Sequence, residues 1–248
     1  MARDGVIAAL HPHDLGRMVE GVAPEVVADA QATQISELGC ITVHAALNEP
    51  LRFRAGDHVR AVMIELLPNS YDTVRKSFDD LRYGEFSRYP LVGLGSLTLF
   101  DSSRVPAGKA TMHAWDYVPY RPANGENWDG GGKEKYVARM LEHMGRFIEN
   151  VDDNNIIAYH SDSPVDMERT SSSFRRGDLH GIAATTYQYG AHRPTPDLGQ
   201  NVVPGCDRLY LVGPFQHPGG GVFGAGRAAA MRACDDLKID FESIGARA

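Results

Sequence analysis

Residues 208–237, RLYLVGPFQHPGGGVFGAGRAAAMRACDDL, carry the pattern in this chain most suited to chemistry. Leu209 to Val212 reads as a buried strand, Gly213 to Gly221 as a loop, and Phe223 to Leu237 as an Ala-rich helix. Gly219, Gly220 and Gly221 in succession let backbone N–H groups approach a flat or anionic ligand with no Cβ in the way. The helix behind them aims the positive end of its dipole at the same spot. Gly224, Ala225, Ala228 and Ala229 keep that helix thin enough to pack closely on a sheet or a cofactor. His217 is the only ionisable group in the loop. It has two readings: a polar contact or acid–base group beside a ligand, and a loop histidine bonded to backbone.

The ligand is narrowed by what is missing. A phosphate-cradling P-loop needs Gly-Lys-Ser/Thr at the helix start, and none is present. Gly219 to Gly224 satisfies the bare G-x-G-x-x-G spacing. A dinucleotide fold, however, needs that fingerprint after its first strand, with an acid after the second. On spacing alone, a cofactor cradle and a close-packed strand-to-helix turn without a ligand both stand open.

Other candidates are weaker. His11 and His13 form an H-x-H pair, but Pro12 lies between them without a matched Cys or carboxylate pattern, so a loop at a strand end is expected and no metal. Arg169, Arg175, Arg176 and Asp178 read as a solvated charged stretch. Cys40, Cys206 and Cys234 are odd in number and far apart, which fits neither a disulfide framework nor a zinc site and points to a reducing cytoplasm. With a net charge of -7 and no basic stripe, the chain lacks a phosphate-neutralising surface for nucleic acid. No apolar run is long enough to span a bilayer, and no signal peptide is evident.

The remaining elements must position these groups. Gly5 to Leu10 reads as a short buried strand, Asp14 as the cap of a short helix through Met18, and Pro24 as the first turn of another helix. Gly39 to Leu47, Leu91 to Phe100, Lys109 to Tyr120 and Ile156 to His160 read as strands, and Val59 to Leu67 as a strand or a short helix. Tyr71, Val74, Phe78 and Leu81 fall at helical spacing. A wide stripe of Tyr136, Val137, Met140, Leu141, Met144, Phe147 and Ile148 predicts a core helix over 133–150. Asn124 to Gly132 is a polar, Gly-rich loop. Ser163-Pro164 starts a new segment, and Gly190 to Gly205 reads as a surface connection between layers.

The 208–237 segment resembles the C-terminal flavin-contacting motif of the phytoene-desaturase and phytoene-dehydrogenase-like family, closest to its pyridine nucleotide-disulfide oxidoreductase domain-containing branch. The shared pattern is Leu209-Tyr210-Leu211, Gly213, the spacers Pro214-Phe215-Gln216, then His217-Pro218-Gly219-Gly220-Gly221-Val222, Gly224 and Ala225. Val6 to Pro12, His44 to Pro50, Trp115 to Pro119, the 133–150 helix, Ser163 to Arg169 and Gly181 follow in family order.

The resemblance implies an α/β (α+β) fold: the C-terminal part of an FAD/NAD(P)-binding Rossmann-like domain with a mixed β-sheet substrate domain and helices. It divides the chain into a remnant of the FAD-binding domain (1–30), a substrate domain (31–200) and a C-terminal FAD-binding segment (201–248). FAD is then the cofactor, contacted by Gly213, Pro214, His217, Pro218, Gly219, Gly220, Gly221, Val222 and Phe223, with His217 the candidate catalytic group. The implied reaction is dehydrogenation of an apolar or aromatic small molecule by hydride transfer to FAD. Tyr117, Tyr120, Tyr187 and Tyr189 would line its chamber if they are not ordinary sheet residues. The family's N-terminal G-x-G-x-x-G unit has no counterpart here, so a second polypeptide carrying that half is the expected partner. A non-catalytic binding subunit of the same fold and a flavin-dependent isomerase are the rival readings.

Overall fold

A computed structural model of the chain describes residues 4–123, 125–219 and 224–245. Two compact units emerge: one joins 1–36 to 171–248, and the other is the continuous stretch 37–170. The fold is mixed α and β, with a five-stranded antiparallel sheet in the continuous unit and a three-stranded mixed sheet in the other. No helix among the described residues is long and apolar enough to cross a membrane.

In the continuous unit the strands β2 (Leu38–Leu47), β3 (Met63–Leu66), β4 (Val92–Gly95), β5 (Ala110–Pro119) and β6 (Ile156–Asp162) run in the order β3-β4-β5-β2-β6. β2 and β5 pair over ten residues, from Leu38 opposite Pro119 to Leu47 opposite Ala110. Period-two alternation sends Ile41, Val43, Ala45 and Leu47 of β2 and Ala110, Met112, Ala114 and Val118 of β5 to one face. There they pack with Tyr136, Val137, Met140 and Met144 of α4 (Gly132–Met144) in a single core. The predicted helix ends early, at Met144, with Gly145 as its C-cap. Phe147 and Ile148 keep their apolar role in a turn, because Arg54 N–H donates to Phe147 O (2.8 Å) and Glu149 N–H to Arg52 O (2.9 Å).

α3 (Tyr71–Arg82) forms where its spacing predicts, capped by Ser70 Oγ accepting from Thr73 N–H (3.2 Å). Its rotation differs from the apolar stripe, however: Ser77, Asp80 and Leu81 are buried, whereas Tyr71 and Phe78 are exposed. Two polar ties set this angle. Ser77 Oγ donates to Tyr89 O (2.7 Å), and Asp80 accepts from the backbone N–H and guanidinium of Arg88.

In the other unit, β1 (Val6–Ala8) pairs parallel with β8 (Cys206–Leu211), which pairs antiparallel with β7 (Val202–Val203). α1 (Leu15–Met18) and α2 (Pro24–Gln31, with proline in its first turn) add Leu15, Val26 and Ala30 to a core with Leu198, Val203 and Leu211. α5 (Pro164–Thr170) closes the continuous unit. α6 (Gly224–Leu237) and α7 (Phe241–Gly245) follow β8, with Ala225, Ala229 and Cys234 of α6 buried.

Four expectations in this unit are corrected. β1 is not buried: Val6 and Ile7 are 45% and 61% exposed, because β8 flanks it on one edge only. Asp14 makes no capping bond; its buried carboxylate instead accepts from Arg175 Nη2 (2.8 Å). Asp178 is likewise buried rather than solvated, accepting from the N–H groups of Ser36 (3.2 Å) and His180 (2.8 Å). Finally, residues 190–205 are no surface connection, since Arg193, Thr195, Leu198 and Asn201 are buried. Asn201 stitches this segment to β8, its carbonyl accepting from Leu211 N–H (2.8 Å) and its Nδ2 donating to Leu211 O (3.0 Å).

Candidate functional site

β8 delivers the chain to the glycine loop, and Val212 N–H donates to Ala8 O (2.9 Å), carrying the parallel pairing one residue past the strand. Gly213 follows at φ +112°, where a side chain would be strained. Phe215 then folds back and is buried. Its ring occupies the space a Cβ would need at both Gly213 (2.6 Å) and Gly181 (2.4 Å). His11 meets this ring edge-on, with centroids 5.4 Å apart.

His11 is itself buried, and that burial draws its pKa down to about 4, so it is neutral near pH 7. Its Nε2 bonds Gly181 O (2.9 Å), while Nδ1 accepts from His13 N–H (3.1 Å). His13 Nε2 bonds Thr33 O (2.9 Å). The H-x-H pair is thus spent on backbone.

Beneath the loop lies Arg193, 1% exposed. Its Nε donates to Pro214 O (3.0 Å), and Nη2 lies within bonding distance of Pro214 O (2.8 Å), His180 O (2.7 Å) and Ile182 O (3.2 Å). Burial pulls its pKa below the ordinary arginine range, partly countered by Asp178. Gly219, at φ +83°, must be glycine because a Cβ would meet Arg193 Cδ and Nε at 2.6 Å. At Gly224 a Cβ would meet Pro218 Cγ at 2.4 Å. The described glycines of the loop therefore make room for the protein's own side chains.

Several polar groups here are left over. Gln216 is fully buried, and neither Oε1 nor Nε2 has a partner among the described residues. The same holds for Arg193 Nη1 and His217 Nδ1. Gln188, an equally buried glutamine of the same unit, shows what satisfaction looks like. Its Oε1 accepts from Gln34 N–H (2.9 Å), and its Nε2 donates to Gln34 O (2.9 Å) and Ala183 O (2.7 Å). An unpaired buried amide costs about 1–3 kcal/mol, so a polar partner at Gln216 has a clear energetic place.

Of the sequence-derived candidates, Gly213, Pro214, His217, Pro218 and Gly219 fall together in this turn. Gly220, Gly221, Val222 and Phe223 lie outside the described residues. Tyr117 and Tyr120 belong to the continuous unit, Tyr120 donating to Glu168. Tyr187 and Tyr189 belong to the other and are exposed. Sequence reasoning passed over Gln216, treated as a spacer, and Arg193, hidden in a Pro-rich run. The available signal was an arginine in a segment with few acids to pair it.

The turn can be tested against the flavin implied by the resemblance. A flavin ring presents both donors and acceptors along its polar edge, and the orphaned amide of Gln216, Arg193 Nη1 and His217 Nδ1 supply both kinds. These atoms match such a group in donor and acceptor type, and each is closed over within the chain.

No family model matches the chain. Among curated proteins it is 30% identical over 174 residues to pyridine nucleotide-disulfide oxidoreductase domain-containing protein 2 of Rattus norvegicus, a match covering 68% of this chain and 29% of the relative. The Mus musculus protein of the same name is 29% identical over 198 residues, covering 78% of this chain and 33% of the relative. The chain thus spans about a third of the length of these relatives. Among solved structures, an oxidoreductase from Methanosarcina mazei aligns with 96% of this chain and 43% of its own, at 15% identity and a TM-score of 0.43. The sequence matches place most of this chain beside proteins that bear an oxidoreductase-domain name.

Proposed function

We propose that this chain is a subunit of a flavin-dependent oxidoreductase of the phytoene-dehydrogenase-like kind, dehydrogenating an apolar or aromatic small molecule. The observation that carries this reading is the buried Gln216 amide in the loop after β8, which, like Arg193 Nη1 and His217 Nδ1, has no partner among the described residues. FAD, when bound, supplies the two-electron acceptor for oxidation of a C–H bond. Gln216 and His217 would hold its polar edge, while Arg193 fixes the loop through Pro214 O. The cation of Arg193 favours negative charge on a ligand in this dry setting.

The second polypeptide is part of the proposal. A parallel strand pair is normally covered on both faces, yet β1 has one free edge and exposes Val6 and Ile7. A partner carrying a G-x-G-x-x-G unit would extend the sheet at that edge and hold the pyrophosphate. A reducing cytoplasm suits the three free thiols.

Co-expression with a neighbouring reading frame that carries the G-x-G-x-x-G half tests this. The expected product is a yellow complex whose visible flavin absorbance bleaches on anaerobic addition of substrate. One observation favours a rival: the loop's described glycines are explained by packing of Phe215, Arg193 and Pro218 alone. A colourless complex with an intact partner would make this a non-catalytic binding subunit. Substrate conversion without net flavin reduction would mark an isomerase.

A further inference from the structure

In the continuous unit, one face of the five-stranded sheet packs on α4, and the other is only partly covered. On that second face β5 presents Thr111, His113, Trp115 and Tyr117, all half-buried. Register sets His113 opposite His44, and His44 opposite His160, so three histidines form a row across β5, β2 and β6. The His44 and His113 rings stack almost parallel, 9° apart in plane, with centroids separated by 4.4 Å. Beside them opens a hollow of about 400 Å³, lined by Gly95, Leu97, Arg104 and Thr111 as well as the two imidazoles. Gly95 opposes His113 across the β4–β5 pair, keeping this wall of the hollow free of a side chain.

The lining is chemically one-sided. It holds a guanidinium, two imidazoles and a hydroxyl, and it has no carboxylate. Asp101, outside the lining, accepts from Arg104 Nε (2.9 Å) and steadies that side chain. Burial and the neighbouring His44 hold the pKa of His113 below the usual histidine range. An anion beside His113 and Arg104 would offset the burial that disfavours the charged form of that imidazole. Leu97 and Ala46 give the same hollow an apolar wall.

We propose that this hollow binds the carboxylate of a small organic acid, with His44, His113 and Arg104 as its donors and Leu97 against its apolar body. The site does not depend on the flavin reading, because it lies wholly within 37–170 and needs no residue of the glycine loop.

Calorimetric titration of the full chain with benzoate, against the neutral benzamide, tests it. Benzoate should bind saturably and benzamide should not. His44→Asn and His113→Asn should each weaken benzoate by about tenfold or more, the loss expected when a hydrogen bond to a charged group is removed. His160→Asn, in the same row but outside the lining, should leave affinity unchanged. Thermal melts of the variants check that the fold survives. Absence of benzoate binding, equal binding of benzamide, or wild-type affinity in both His44→Asn and His113→Asn would overturn the site. None of these outcomes bears on whether flavin occupies the glycine loop.

Discussion

The two units treat their buried polar groups differently. In 37–170 the fully buried Asp116 accepts from Tyr136 OH (2.8 Å), Tyr117 N–H (2.8 Å) and Leu91 N–H (3.2 Å). Asn150, Asn155 and Trp128 are similarly paired. Only His143 Nδ1 is left over there among the described residues. In the unit containing the glycine loop, buried atoms of Arg175, Thr185, Arg193, Gln216 and His217 lack a partner among the described residues. Buried polar groups in native proteins are normally satisfied. Among the described residues, the first unit pairs nearly all of its buried side-chain polar groups internally, and the second leaves several without a partner.

The sharpest way to break this contrast is Asp116→Ala. It strands the donors of Leu91, Tyr117 and Tyr136 in the core, and should cost at least about 3 kcal/mol in denaturant unfolding. A loss below 1 kcal/mol, on the same scale, would mean that this core does not rely on complete pairing.

The pH dependence of Asp116 is next in size. Burial raises its pKa from 3.8 to about 7 in the folded chain. Its contribution is thus fully present below about pH 4 and is lost as pH rises through about 7, a change on the order of a few kcal/mol. Asp116→Asn should flatten the stability profile between those limits relative to the native chain. Parallel profiles for the two proteins would contradict the assignment.

Arg193→Ala should cost about 2–3 kcal/mol by unpairing Pro214 O and His180 O. Hydrogen exchange should localise the loss to β1 and β8, sparing β2 and β5. Equal loss of protection in both sheets would remove the distinction between the units.

The smallest effect carries the opposite sign. Gln216→Leu replaces an unpaired buried amide with an apolar group of similar size, so the free chain should gain about 1 kcal/mol in a thermal or denaturant melt. Destabilisation would show that the amide is already satisfied.

What was legible in the sequence follows from periodicity. β2, β5 and residues 133–144 of the core helix were readable because alternation or a 3.6-residue stripe marks one buried face. The end of β8 and the start of α6 were readable on either side of the glycines, while Gly220 to Phe223 lie outside the described residues. The rotation of α3 was not readable, since Ser77 and Asp80 turn inward for bonds to residues 88 and 89 that no local pattern encodes. Nor was the burial of 190–205: proline and glycine suggested a surface loop, while Arg193 makes its contacts 11 to 21 residues away in sequence. Gln216 looked like filler because an unsatisfied amide is visible only when its surroundings are known.

Riboflavin titration of the chain alone, followed by quenching of flavin fluorescence, addresses the glycine loop most directly, because riboflavin lacks the pyrophosphate that the partner would hold. Saturable quenching in the native chain, weakened about tenfold or more in a stably folded Gln216→Leu variant, is the predicted result. No quenching, or identical curves for the two proteins, would contradict a flavin seat at Gln216.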